Sequence, residues 1–194
     1  MAMVPSIYTG LIMTNTAFVG PQAAQLANGI AVGFTTYLTA HPANIITTVG
    51  DVGAPGAGVG NGVLLAPTCT PPILYGILEA NLKGAGLLGP QMSQFALGLA
   101  SATCTYLASA QTVTAHAGVG AGVGIGSIIG IEPAGMAGAI TAAAGFTGVN
   151  WPQMVLAISS GLVTFMMTNV KYTVVIAGPA GPGVSSGTGS GRLL

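Results

Sequence analysis

Glycine at every second position, in one recurring local setting, returns at a near-constant interval along this chain. Gly56-Ala-Gly-Val-Gly-Asn-Gly62 reappears as Gly120-Ala-Gly-Val-Gly-Ile-Gly126, six of seven residues identical, and Gly187-Thr-Gly-Ser-Gly191 follows near the C-terminus. With Gly58, Gly122 and Gly187 as equivalents, the intervals are 64 residues (58 to 122) and 65 (122 to 187). Periods of this size mark supersecondary units that cannot bury an apolar face alone and share a core with their neighbours. The spacing predicts three modules, 1–65, 66–129 and 130–194.

A second marker supports the same order. Gly20-Pro21-Gln22, Gly89-Pro90-Gln91 and Trp151-Pro152-Gln153 each open an apolar run. The first two continue alike, as PQAAQLANGIAVGFTTYL and PQMSQFALGLASATCTYL. Proline at a first helical position is pre-set in φ and lacks only an N–H that would be unpaired there anyway. Ala23, Leu26, Ala27, Ile30, Phe34, Tyr37 and Leu38 then fall at helical spacing, as do Phe95, Leu99, Ala102, Thr103, Tyr106 and Leu107. His41-Pro42 is the expected end of the first of these helices, because a residue before proline resists helical angles. A weaker helix precedes each, as in PILYGILEANLKGAGLLG, and Ile7-Tyr8-Thr9-Gly10-Leu11-Ile12 resembles Leu74-Tyr75-Gly76-Ile77-Leu78. Its glycines cost about 1 kcal/mol each against alanine, so packing must hold it helical.

After each second helix come β-branched stretches, Asn44–Val49, Gln111–Ala115 and Tyr172–Ile176, which read as short strands. The fold expected is mainly α with short β segments: a helical hairpin, a strand and a glycine-rich arch in each module. An extended chain with glycine at alternate positions has one face bare of side chains. The arches are therefore expected to accept a neighbouring backbone or subunit at Gly58, Gly60, Gly62, Gly122, Gly124 and Gly126, and a β-branched residue at Gly60 or Gly124 should block assembly. Gly29 with Gly33, and Gly98 with Ala102, are small pairs four apart that let helices approach closely. Trp151, in the place of the glycine before Pro-Gln, reads as a packing anchor.

Charge excludes much. The 194 residues carry three acidic and three basic side chains, Asp51, Glu79, Glu132, Lys83, Lys171 and Arg192. Three scattered cations cannot neutralise a phosphate backbone, so no specific nucleic acid is expected as a partner. Disorder requires low hydrophobicity, whereas 51% of the residues are apolar. An uncharged surface favours association. The first residues, MAMVPSIYTG, lack the positive segment that precedes the apolar core of a secretory signal.

Catalytic and ligand chemistry finds little footing. No lysine follows the glycines, as a P-loop requires, and their strict alternation departs from GxGxxG. His41 and His116 read as caps or packing residues, Glu79 and Lys83 as an i,i+4 pair on a helix, and the eight methionines as core. No metal spacing is present. Cys69 and Cys104 are expected as two buried free thiols, with a single bridge as the alternative. No enzyme activity, cofactor or metal is expected.

Glycine-alternating segments followed by apolar residues, small-residue helices and near-absence of charge together resemble small structural proteins of tailed bacteriophage virions. The resemblance implies a subunit of a tail, baseplate or neck, located in the virion, with copies of itself and other virion proteins as partners. It carries over no functional residues. The competing expectation is a membrane-embedded or pore-forming protein, since long uncharged stretches separate the charges. Those stretches are broken by Pro and Gly and fall short of the roughly 20 apolar residues a span needs.

Overall fold

The computed structural model describes residues 4–14, 20, 22–40, 46–50, 58–64, 69–108, 110–119, 121–169, 171–177 and 187–193. The chain is mainly α. In order it runs α1 (Pro5–Thr14), α2 (Ala23–Ala40), β1 (Ile46–Gly50), β2 (Gly58–Leu64), α3 (Pro71–Gly84), α4 (Pro90–Ala108), β3 (Gln111–Val119), β4 (Ala121–Ile129), α5 (Pro133–Ala144), α6 (Trp151–Asn169), β5 (Lys171–Ala177) and β6 (Gly187–Leu193). Four of the helices begin on proline, at Pro5, Pro71, Pro90 and Pro133. Pro21, Asn44–Ile45, His41-Pro42, Asp51, Gly56 and Gly120 lie outside the described residues.

The six helices form a closed ring, each packed on its two neighbours in sequence, with α6 returning to α1. Within α1, α3 and α5 a single stripe at i, i+4 spacing is buried: Tyr8 and Ile12; Leu74, Leu78 and Leu82; Met136, Ile140 and Ala144. That narrow stripe suits a helix docked in the groove of a bundle. The longer α2, α4 and α6 bury much broader faces, with ten, nine and ten buried residues respectively. Ile30, Leu99 and Ile158 are wholly buried among them.

Four glycines lie where helices pack closely, each between α2, α4 or α6 and the helix that follows in the ring. A Cβ on Gly33 would meet Leu78 of α3, and one on Gly29 would meet Leu82. One on Gly98 would meet Ala144 of α5, and one on Gly161 would meet Ile12 of α1. Two tyrosines near the ends of α2 and α4 reinforce these joints. The Thr70 N–H donates to Tyr37 Oη at 2.7 Å, just ahead of α3. Tyr106 Oη donates to the Glu132 carbonyl and accepts from the Glu132 N–H, both at 2.8 Å, just ahead of α5.

The six strands form a closed antiparallel barrel in the order β1-β2-β3-β4-β5-β6, with β6 paired back to β1. It departs from the end of the ring where α2, α4 and α6 finish: Ala110 lies between α4 and β3, and α6 touches β4. The glycine segments are therefore strands, each paired antiparallel with the strand before it, β2 on β1, β4 on β3 and β6 on β5. Gly58, Gly60 and Gly62 sit opposite His116, Thr114 and Thr112, and Gly122, Gly124 and Gly126 sit opposite Ile176, Val174 and Tyr172. Along β4 these glycines share the face of Ile128, which is buried in the helical core. A barrel of eight strands is only just wide enough inside for side chains to fill it. Six strands enclose less, so glycine at every second position of β2, β4 and β6 suits closure.

Cys69 and Cys104 form a disulfide across a sequence separation of 35, their Cα atoms 4.8 Å apart. The expectation of free thiols fails because the ring fold sets the residue before the α3 cap against the last turns of α4, a proximity that sequence spacing does not reveal.

Candidate functional site

A concavity among the described residues lies at the opposite end of the ring from the barrel, where α2, α4 and α6 begin. Each of these helices starts on the same backbone device. Gly20, Gly89 and Gly148 have φ of 140°, 120° and 148°, a region closed to ordinary L-residues. Their carbonyls accept the N–H groups of Ala23, Met92 and Trp151, each at 3.2 Å. The carbonyls of Gln22 and Asn150 then accept from Leu26 and Met154 at 2.9 and 3.0 Å.

Gly148 stands three residues before Trp151, as Gly20 stands before Ala23 and Gly89 before Met92. Counted from these glycines, Leu26, Phe95 and Met154 each lie six residues on, and Tyr37, Tyr106 and Phe165 seventeen. The small pairs then read Gly29 and Gly33, Gly98 and Ala102, Ala157 and Gly161.

Leu26, Phe95 and Met154 all line a hollow of about 440 Å³, with Gln22, Gln91 and Thr147 as its polar contributions. Met92 and Trp151 add to the wall, and Leu87, Leu88 and Phe146 complete it. Residues from all three helix starts thus converge on one space. Trp151 is held between two edge-to-face rings, Phe95 at 6.1 Å and Phe146 at 5.0 Å between centroids. It is an anchor, as its size suggests, but of this hollow's wall. Its Nε1 is buried without a hydrogen-bond partner.

The electrostatics of the hollow come from backbone. Helix starts carry a partial positive charge that an acidic residue in the first turn usually offsets. None of α2, α4 and α6 has an acidic residue there, and no lining residue is charged. On the rim, Leu88 is 79% exposed; nearby in sequence to the Phe146–Trp151 wall, Val149 is 95% exposed.

The ionic chemistry among the described residues lies elsewhere. Lys83 Nζ is 3.0 Å from Glu79 Oε1 on α3, as the i,i+4 spacing anticipates, and Ser93 Oγ of α4 donates to the same oxygen at 2.5 Å. The Ser93 hydrogen bond, followed by Lys83, holds the Glu79 carboxyl below its ordinary value. Its plain effect is to tie α3 to α4. Among the described residues no group of three or more His, Cys, Asp or Glu could hold a metal ion. No helix among them is long and apolar enough to cross a membrane.

Sequence alone therefore places Gly29, Gly33, Gly98 and Trp151 in packing roles without locating the hollow. The signal for it is present in the glycines at 20, 89 and 148, but the third is obscured by a Pro-Gln pair three residues away. No protein-family model matches this chain, and neither does any curated protein or solved structure.

Proposed function

We propose that this chain is a non-catalytic structural subunit of a large assembly, a component of the tail, baseplate or neck of a tailed-phage virion. Its sequence reads as three copies of one unit, 1–65, 66–129 and 130–194, arranged around a common axis. Two helices and two strands in each unit, the closed ring and the closed barrel all support that reading. One observation carries the function: a ring with a filled interior still presents Leu88, Leu97, Val149 and Leu156 outward, on a chain with six charged side chains in total. Side chains of this kind gain by contact with another protein surface, at about 25 cal/mol per Å² of apolar area removed from water. The near-absence of charge gives little resistance to such contact.

The role is mechanical: joining, filling or sealing a particle, with copies of itself or other virion proteins as partners. Density-gradient fractionation of a producing culture tests this directly. The chain should band with intact particles and survive a salt wash, since apolar contacts are not screened. Recovery in the membrane fraction, released only by detergent, would overturn the proposal.

A further inference from the structure

Cys69 and Cys104 are the chain's only cysteines, so the entry to α3 is the one joint of the ring that carries a disulfide. We propose that this bond is a reversible clamp on the junction of α2, α3 and α4, closed by exchange with a small-molecule disulfide, opened by a small thiol, and reached from solvent through Cys69. The inference is independent of the assembly role proposed above.

Three observations lead there. First, the bond sits where it can tighten or release a junction. Cys69 is tied to α4 through Cys104, and the next residue, Thr70, donates its N–H to Tyr37 Oη of α2 at 2.7 Å. Two successive residues thus fasten the start of α3 to both helices that flank it. Second, the ring closes elsewhere without a bridge. Ile131 lies two residues before Pro133, as Cys69 lies before Pro71, and Val163 lies fifteen after Gly148, as Cys104 lies after Gly89. Both are buried in the apolar core, and Tyr106 holds Glu132 beside them by two hydrogen bonds. Packing and a tyrosine suffice at that joint, so an open bridge at the other leaves the fold intact. Third, the two cysteines differ in access. Cys69 is half-buried at the margin of the core, whereas Cys104 is 5% exposed.

That difference sets the order of the exchange, since a thiolate must reach the sulfur it attacks. On closing, the Cys69 thiolate attacks one sulfur of the small disulfide and expels a first small thiolate. The Cys104 thiolate then attacks Cys69 Sγ of the mixed disulfide and expels the second. Two protein thiols are oxidised, one small disulfide is reduced, and the two protons released by the cysteines are taken up by the departing thiolates. Opening is the reverse: a small thiolate attacks Cys69 Sγ, Cys104 leaves and takes up a proton, and a second small thiolate frees Cys69.

The test uses the full chain in buffer without denaturant. Reduced glutathione should open the bond, read by alkylation and intact mass, with the helical circular dichroism retained and the melting temperature lower by about 10 °C. Hydrogen exchange should quicken at the start of α3 and stay unchanged at the start of α5, and oxidised glutathione should restore the starting state. Cys104→Ser exposed to oxidised glutathione should acquire one glutathione on Cys69, at least tenfold faster than Cys69→Ser acquires one on Cys104. A bond that opens only in denaturant, loss of helical signal on opening, or equal labelling of the two cysteines would each overturn the proposal. None of these outcomes bears on whether the chain belongs to a particle.

Discussion

A Cβ placed on Gly98 would lie 2.7 Å from both the Cα and the Cβ of Ala144 and 2.8 Å from its backbone nitrogen. The obstacle is mainly backbone, which cannot swing aside, and Gln94 Nε2 pins the same segment through the Ala144 carbonyl at 2.7 Å. Gly98→Ala should therefore force α4 and α5 apart and cost about 3 kcal/mol, at the upper end of overpacking effects. At Gly33 the nearest atom is Leu78 Cδ2 at 2.8 Å, the movable tip of a side chain, with Cα at 3.3 Å. Gly33→Ala should cost about 1 kcal/mol. Urea midpoints of the two variants, at equal m-values, measure the difference, and equal losses would contradict the close-approach argument.

The opposite sign is expected at Gly10, Gly76 and Gly138. These lie within α1, α3 and α5, are exposed, and leave open space for 4 Å around the point where an alanine methyl would sit. Alanine there restricts the unfolded chain and favours the helix by about 1 kcal/mol per site. The three sites are on different helices, so their effects should add within a few tenths of a kcal/mol. Thermal unfolding of the single and triple variants checks both the sign and the additivity.

Much of this architecture is legible in local pattern, and the parts that are not share a cause. Apolar spacing in PQAAQLANGIAVGFTTYL marks α2 and its buried face, and β-branched runs mark β1, β3 and β5, because these signals depend on neighbours within a few residues. The glycine strands β2, β4 and β6 resist the same treatment. Glycine has little strand propensity, and its presence there answers to the width of a closed barrel, which only the pairing of β6 with β1 creates. The disulfide and the hollow are equally non-local. Cys69 meets Cys104, and Leu26, Phe95 and Met154 share one wall, only once the ring has closed. The start of α6 is equally hard to read locally, because the Pro152-Gln153 pair draws the eye while the positive φ falls at Gly148, three residues before Trp151.

Tyr106 supports a specific expectation at the α4–α5 joint. Its hydroxyl both donates to and accepts from the backbone of Glu132, so Tyr106→Phe leaves a carbonyl and an N–H without that partner. Both groups are solvent-accessible enough to be rehydrated, which limits the loss to about 1 kcal/mol. Hydrogen exchange should quicken at the start of α5 more than at the start of α3, where Tyr37 holds Thr70. Uniform quickening around the ring would argue that the tyrosine acts on global stability alone.

The Glu79 carboxyl gives a pH dependence with a definite sign. Its folded value is lowered, first by the Ser93 hydrogen bond and then by Lys83, from an ordinary value of 4.5. A depressed carboxyl binds fewer protons in the folded state than in the unfolded one, so stability rises with pH through this window. The contribution is present above the ordinary value and disappears as pH falls through the depressed one. Ser93→Ala should move the Glu79 titration, followed by carboxyl NMR, upward toward 4.5 and flatten the acid limb of the stability curve. Lys83→Met should move it in the same direction by less.

Tyr8 invites a substitution that removes a polar group to the protein's benefit. The side chain is fully buried, stacked on Phe165 with centroids 5.2 Å apart and edge-on to Phe34 at 6.0 Å. Its hydroxyl has no hydrogen-bond partner, and burial pushes its ionisation well above the ordinary value of 10.0. A buried unpaired hydroxyl forfeits its hydration without recompense, whereas the ring contributes apolar area and aromatic contact. Tyr8→Phe keeps the ring contacts and deletes only the oxygen, so it should stabilise the chain by about 1 kcal/mol. Because the phenol stays neutral, that gain should be the same at neutral and mildly alkaline pH. Tyr8→Leu, which abandons the stacking on Phe165, should instead lose stability. A decrease for Tyr8→Phe would mean that the hydroxyl holds an ordered water between α1, α2 and α6, and a water retained there should appear as slow exchange at the neighbouring backbone amides of Ile12.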